Sequence, residues 1–288
     1  MDYEKEIKTI KLKDLKKFAA ELYSRIYIEG LAYGNLRAET VSEAVEVLRK
    51  KLAAKPLAES KRFINTVRQL STGASHTFTR KMQVENSAVV TDIQVGQRSP
   101  ELLSALMVID NLIQPQFYND LRTSQQLGYI VNSGMTVLEK TLGLIFIIQS
   151  GEYNTEILEQ RMGAFLEKFN DYLKELPDAE LNKIKKSVLN SKLQKTNSVT
   201  AEAVRLFTIA FEQNAEFDVN SREIRALEKL TREDIMDVVN SYLLTSKQRK
   251  LILRMSGMDY NAGNSSGERI SSAAKFKKLY ACPQYCLP

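Results

Sequence analysis

The 288 residues are 43% apolar and 26% charged, which is material for a packed core of one large or two smaller domains and excludes a disordered composition. The net charge is +6, yet Lys and Arg are interleaved with Asp and Glu, there is no Trp, and no basic-aromatic alternation offers bases a stacking platform, so no nucleic-acid partner is expected. No apolar run approaches the ~20 residues of a membrane span, so no membrane span is expected either.

The charged opening Met1-Asp-Tyr-Glu-Lys has no apolar stretch of signal-sequence type, and nothing else in the chain assigns a compartment. A helix is predicted over Lys13 to Tyr23, with Leu15, Phe18, Leu22 and Tyr23 as its core face. A strand follows over Arg25 to Tyr33 and ends at the turn signal Gly34-Asn35. Thr40 and Glu43 form a capping-box pattern that opens a second helix, whose core face is Val41, Ala44, Val45 and Leu48. The polar stretch Ala53 to Lys61, which contains Pro56, marks a boundary between domains 1–60 and 61–288.

Three extended segments come next, Arg62 to Leu70, His76 to Val84 and Ser87 to Val95. Ser99-Pro100 starts a helix with Ser as N-cap and Pro at the first helical position, and Leu102 to Ile113 give it a broad apolar face. Pro115 is expected to kink or interrupt this helix, and helical pattern resumes through Phe117, Leu121 and Leu127. Strands are predicted at Tyr129 to Leu138 and Leu142 to Ser150. Helices fill Thr155 to Leu244, near 155–172, 178–195, 199–213, 221–229 and 231–244, the last with a cap from Thr231 and Asp234. A strand at Arg249 to Met255, a Gly/Ser/Asn-rich linker at Gly257 to Gly267 and a short helix near Ser271 to Lys278 complete the chain. This order predicts an α+β fold: an antiparallel-dominated sheet with helices packed on one face.

The chemistry available is limited. The single histidine, His76, cannot supply the three protein ligands of a catalytic zinc, and neither H-E-x-x-H nor H-x-x-E-H occurs. A structural or surface role is expected for it, and no metal ligands are assigned in this chain. Cys282 and Cys286 lack the second ligand pair of a zinc knuckle and read as free thiols, with a disulfide open if the protein is exported. The densest basic group, Lys183, Lys185, Lys186, Lys192 and Lys195, reads as the solvated face of an amphipathic helix. What remains is the segment Leu121-Arg-Thr-Ser-Gln-Gln-Leu-Gly-Tyr129 at a helix-to-strand junction, with Gly128 as helix terminator. Arg122 and Tyr129 offer it a guanidinium fork and a phenol, both donors to a peptide carbonyl or an oxyanion. The reading that residue type alone favours is structural: Arg122 pairs with a carboxylate and Tyr129 caps the core with its hydroxyl in water.

Leu121-Arg-Thr-Ser-Gln-Gln-Leu-Gly-Tyr-Ile-Val131 resembles the L-R-T-x-E-Q-L-G-Y-I-V segment of the insulinase-type (insulysin/pitrilysin-like) metallopeptidases. Ser24 to Asn35, Leu144 to Ser150, Leu158 to Leu166, Leu230 to Ile235 and, more loosely, Phe276 to Tyr280 are similar to further family segments in family order. The resemblance implies that residues 1–60 are the end of a third homologous domain and 61–288 a fourth, inactive one. It implies a zinc-free half of a zinc endopeptidase: zinc is bound by an N-terminal half of the same polypeptide, and this half closes a chamber around a peptide substrate. By the same resemblance Arg122 holds the substrate backbone and Tyr129 stabilises the tetrahedral oxyanion. Gln125 departs from the Glu of the family pattern. Without H-x-x-E-H the chain alone is expected to be inactive. The alternative is a non-catalytic scaffold of the same fold.

Overall fold

The structure is a computed structural model that describes residues 3–62, 67–244, 246–261, 263, 267–272 and 274–276. Both cysteines and residues 277–280 of the tail lie outside the described residues. The chain divides into two compact units, Met1–Asn65 with Thr196–Ala215, and Thr66–Lys195 with Glu216–Pro288.

The first unit opens with α1 (Tyr3–Thr9) and α2 (Leu12–Leu22). At the start of α2 the Asp14 carboxylate accepts the Lys11 N–H at 3.0 Å, a negative charge where the helix dipole favours it. The strand predicted for Arg25 to Tyr33 pairs over only two residues, β1 (Arg25–Ile26), and a later segment supplies its parallel partner. A strand extends only as far as its neighbour does. The next helix, α3 (Ala38–Leu52), starts two residues before Thr40 with extended Arg37 as N-cap, so the Thr40/Glu43 capping pattern is not used. The turn closes early because Gly34 takes φ +137° and the Leu36 N–H bonds back to the Gly34 carbonyl. Strand β2 (Lys55–Pro56) pairs with β1, and a 3₁₀ turn covers Glu59–Lys61. The stripes predicted as core, including Leu15, Phe18 and Leu22 of α2 and Val45 and Leu48 of α3, are 45–61% exposed. Periodicity located the stripe, but burial needs a layer to pack against, and the described strands of this unit are two residues long.

The second unit holds β3 (Ser75–Lys81), β4 (Ser87–Gln97), α4 (Pro100–Phe117), β5 (Ile130–Leu138), β6 (Thr141–Ser150), α5 (Thr155–Glu175) and α6 (Asp178–Leu193). Helix α7 (Val199–Glu212) belongs to the first unit, although the sequence reads it as part of the later helical block. The second unit resumes with α8 (Val219–Lys229), α9 (Arg232–Val238), β7 (Lys250–Ser256) and β8 (Glu268–Arg269). Its six strands form one sheet in the order β5-β6-β4-β7-β3-β8. The first three pairings are antiparallel and the last two parallel, an antiparallel-dominated α+β sheet as the order of elements predicts.

One face carries the helices. Val89, Ile93 and Val95 of β4 join Phe146 and Ile148 of β6 in a core with Leu106, Ile109 and Ile113 of α4 and Leu158 and Phe165 of α5. Each such side chain contributes about 1.5–3 kcal/mol on burial. The two caps predicted for this unit form: Ser99 Oγ accepts the Leu102 N–H at 3.1 Å, and Thr231 and Asp234 make a reciprocal capping box. On the free edge of β5, the Asp110 carboxylate accepts the Met135 N–H. Among the described residues no helix is long and apolar enough to cross a membrane.

Two other expectations change. Of the predicted strand Arg62 to Leu70, residues 63–66 lie outside the described residues and 67–70 are irregular. Here the Gln94 side chain takes the place of a neighbouring strand, accepting the Leu70 N–H at 2.8 Å and donating to the Arg68 carbonyl at 2.9 Å. The Gly257 to Gly267 stretch is tied down where it is described. The Met258 N–H bonds the Val84 carbonyl at 2.8 Å, Tyr260 Oη bonds the Gly151 carbonyl at 3.0 Å, and β8 follows directly. Composition could not reveal these bonds because backbone groups make or receive them.

Candidate functional site

The helix-to-strand junction that carries Arg122 and Tyr129 is built by a change of helical register. Helix α4 is not interrupted at Pro115; it runs to Phe117 and then widens into a π-helical turn, Tyr118–Ser124. The proline removes one helical donor, and the wider turn begins three residues later. The turn closes through bonds from the Gln125 N–H to the Asp120 carbonyl (2.9 Å) and from the Leu127 N–H to the Leu121 carbonyl (3.0 Å). Leu121 and Leu127 are buried and pin the corner to the core.

Gln126, not Gly128, takes the left-handed conformation that ends the helix, at φ +52°. Gly128 has a different task. A Cβ there would lie 1.9 Å from the Gln149 carbonyl oxygen of β6, so only glycine lets the two backbones meet. This close approach carries the chain directly into β5 with Tyr129 at its head. Tyr129 is 85% exposed, and the Arg122 guanidinium carbon lies 5.7 Å from the centre of its ring. Such a cation–π contact at an exposed site stabilises by about 0.5–1 kcal/mol. The structure thus brings together the two donors singled out by sequence.

Sequence reasoning missed what supports them. Gln125 Nε2 donates to Asp120 Oδ1 at 3.0 Å, and Arg161 of α5 reaches Gln125 Oε1 at 3.4 Å. Where the family pattern has a carboxylate, the Gln125 amide bridges a carboxylate and a guanidinium. The signal was available only as five-residue spacing between Asp120 and Gln125, which no regular α-helix brings face to face.

Among the described residues no group of three or more His, Cys, Asp or Glu could hold a metal ion, so these residues do not fit a zinc centre. His76 is buried in β3, its Nδ1 3.4 Å from Glu268 Oε2 and its ring edge-on to Phe276 at 5.1 Å. Of the basic group on α6, Lys192 pairs with buried Glu223 and Lys185 donates to the Leu230 carbonyl, so it is not a uniformly free cationic face.

A second acidic feature escaped the sequence reading. Asp92 interrupts the apolar run of β4, and its carboxyl is pushed above the usual range by burial. A charge in the middle of Ala88-Val-Val-Thr-Asp-Ile-Gln-Val95 was the available signal.

Comparison with known proteins gives these residues a context. A family model described as "PQQ synthase PqqF-like, C-terminal lobe domain 4" matches residues 108–207. A nardilysin-like protein of Arabidopsis thaliana is 25% identical over 96% of this chain and 28% of its own length. The human insulin-degrading enzyme is 28% identical over 84% of this chain and 24% of its own length. The crystal structure of pitrilysin superposes with a TM-score of 0.80 at 20% identity, covering 95% of this chain and 30% of that one, a likeness of fold. The chain spans about a quarter of the length of the curated relatives it matches, 28% and 24% for these two.

Proposed function

We propose that this chain, which belongs to the insulinase-type metallopeptidase family and corresponds to its C-terminal part, is the zinc-free half of a zinc endopeptidase. In this reading residues 1–60 end a third homologous domain and 61–288 form the fourth. An N-terminal half of the same polypeptide binds the metal, and this half closes the chamber over a peptide. The observation that supports the reading best is the adjacency of the Arg122 guanidinium and the Tyr129 phenol, 5.7 Å apart on an exposed corner. Arg122 would hold a substrate carbonyl, and the Tyr129 hydroxyl would donate to the oxygen that gains negative charge during hydrolysis. Neither residue moves a proton at the metal, and this chain's own part is to bind and to stabilise charge.

Tyr129→Phe in the full-length protein tests this. Removing one oxyanion donor is expected to lower kcat by roughly a hundredfold or more. The melting temperature should hold, because the side chain is 85% exposed. The 288-residue chain alone should not hydrolyse peptides, and chelator-sensitive hydrolysis by it would refute the proposal. An unchanged kcat in Tyr129→Phe would leave Tyr129 a purely structural role, and a full-length protein without peptidase activity would favour the alternative, a non-catalytic scaffold.

A further inference from the structure

The sheet face opposite the helices carries half-exposed side chains, and Asp92 sits near its middle. One row crosses the whole sheet at this point: Gly134 of β5, Ile145 of β6, Asp92 of β4, Leu251 of β7, His76 of β3 and Glu268 of β8. Ile145 and Leu251 therefore flank Asp92 from the two neighbouring strands, and Val90 and Gln94 stand two residues away along β4 on the same face. The setting is apolar, yet among the described residues no hydrogen bond or ion pair holds the Asp92 carboxylate.

Three polar groups on this face are engaged elsewhere, and a fourth, the neutral Thr136 hydroxyl, stands with Asp92 Oδ1 beside Gly143 of β6. Arg249, two residues before Leu251, donates to the Val95 carbonyl and to Thr72 Oγ1, both at 3.1 Å. The Gln94 amide is occupied by Arg68 and Leu70. His76 lies beyond Leu251 in the row and faces Glu268. A half-buried carboxylate without a partner is destabilising, so an acid at this position gains most when a cation arrives from outside. The surrounding aliphatic side chains suit the methylene stem of a lysine or arginine whose head reaches the carboxylate.

The geometry points to Asp92 as the anchor for a lysine or arginine side chain of a peptide laid in extended form across this open face. The assignment rests on the peptide-handling reading above and adds a preference to it. By register Asp92 is two strands across and four residues along from Ile130, the residue after Tyr129. At ~4.8 Å per strand and ~3.3 Å per residue the separation is roughly 16 Å, about five residues of extended peptide. The basic side chain would therefore stand some five residues from the bond held at the corner.

Labelled peptides that differ at one position, lysine, norleucine or glutamate, can be titrated into the 288-residue chain by fluorescence anisotropy. Lysine should bind roughly tenfold more tightly than norleucine. The ratio should fall towards one in Asp92→Asn and turn in favour of glutamate in Asp92→Lys. Equal affinity for lysine and norleucine, a preference that survives Asp92→Asn, or failure of every peptide to bind overturns the assignment. So does self-association of the chain that Asp92→Asn abolishes, since the cation would then come from a second copy. Hydrolysis of the same peptides by the full-length protein is read separately. A lysine preference in binding without any hydrolysis would defeat the peptidase reading and leave the anchor standing.

Discussion

Replacing Gly128 with alanine inserts one methyl group where two backbones already touch. The new Cβ would stand 1.9 Å from the Gln149 carbonyl oxygen and 2.8 Å from its carbon. Ordinary non-bonded contacts begin near ~3.5 Å, so the two chains must separate by about 1.5 Å. The obstacle cannot swing aside as a side chain would, because Gln149 is held in β6 by pairing with Ala88 of β4 and Ile130 of β5. Overpacking usually costs about 1–3 kcal/mol, and a rigid backbone neighbour puts this case near ~3 kcal/mol. At roughly 2–4 °C per kcal/mol for a unit of this size, the melting temperature should drop by about 6–12 °C. Urea denaturation of the 288-residue chain measures the difference directly. Gly134→Ala is the control, since a Cβ there meets nothing within 4 Å and Gly134 lies in β5, the strand that Gly128 leads into. A Gly128→Ala protein within ~0.5 kcal/mol of the parent, or a Gly134→Ala protein equally damaged, would refute the close-approach argument.

Glu223 is buried between Arg98, at 2.6 Å, and Lys192, so Glu223→Gln leaves two cations sharing a neutral partner; a loss of about 3–5 kcal/mol in urea denaturation is expected, and less than ~1 kcal/mol would contradict it. Burial raises the Asp92 pKa, so ionisation opposes folding: the penalty is absent below the unfolded-state value near ~3.9, grows as pH rises towards the folded-state value, and is complete above it. Asp92→Asn should therefore be the more stable protein at neutral pH, with the advantage vanishing in acid; an advantage that persists at low pH would point to a cause other than charge. Hydrogen bonds from Arg205 and Thr196 hold Glu202 down at about 2, so its contribution is present above the ordinary glutamate range and is lost as pH falls towards 2. Glu202→Gln should remove that part of the acid sensitivity, seen as a flatter stability profile between pH 5 and pH 2, and an unchanged profile would exclude the pair as its source.

The second unit was the more legible in sequence, because its signals were local and its layers are present. Ser99 and Thr231 announce their helices by side-chain chemistry that needs nothing distant, and the alternation of Val89, Ile93 and Val95 matches the buried face of β4. Leu15, Phe18 and Val45 follow the same helical rule but remain exposed, since periodicity specifies a face and not its partner. At the candidate corner, Arg122 and Tyr129 were visible through residue type and resemblance. Their support was not. The left-handed turn falls on Gln126, and the glycine is required by Gln149 of β6, far along the chain. Asp120, Gln125 and Arg161 meet only because the helix widens to a π turn.

The parallel pairing of β3 with β7 has a temporal consequence. Thr77 stands beside Ile252, so an early strand of the second unit is completed by one of its last. Contacts this distant along the chain are formed late and slow folding, because the long loop must be closed before any bond repays it. During synthesis β3 emerges on the order of ten seconds or more before its neighbour. Throughout that interval its backbone donors and acceptors are open to any passing chain. A chaperone, or dilution of the nascent protein, would act on the yield of this protein mainly by guarding that single ribbon.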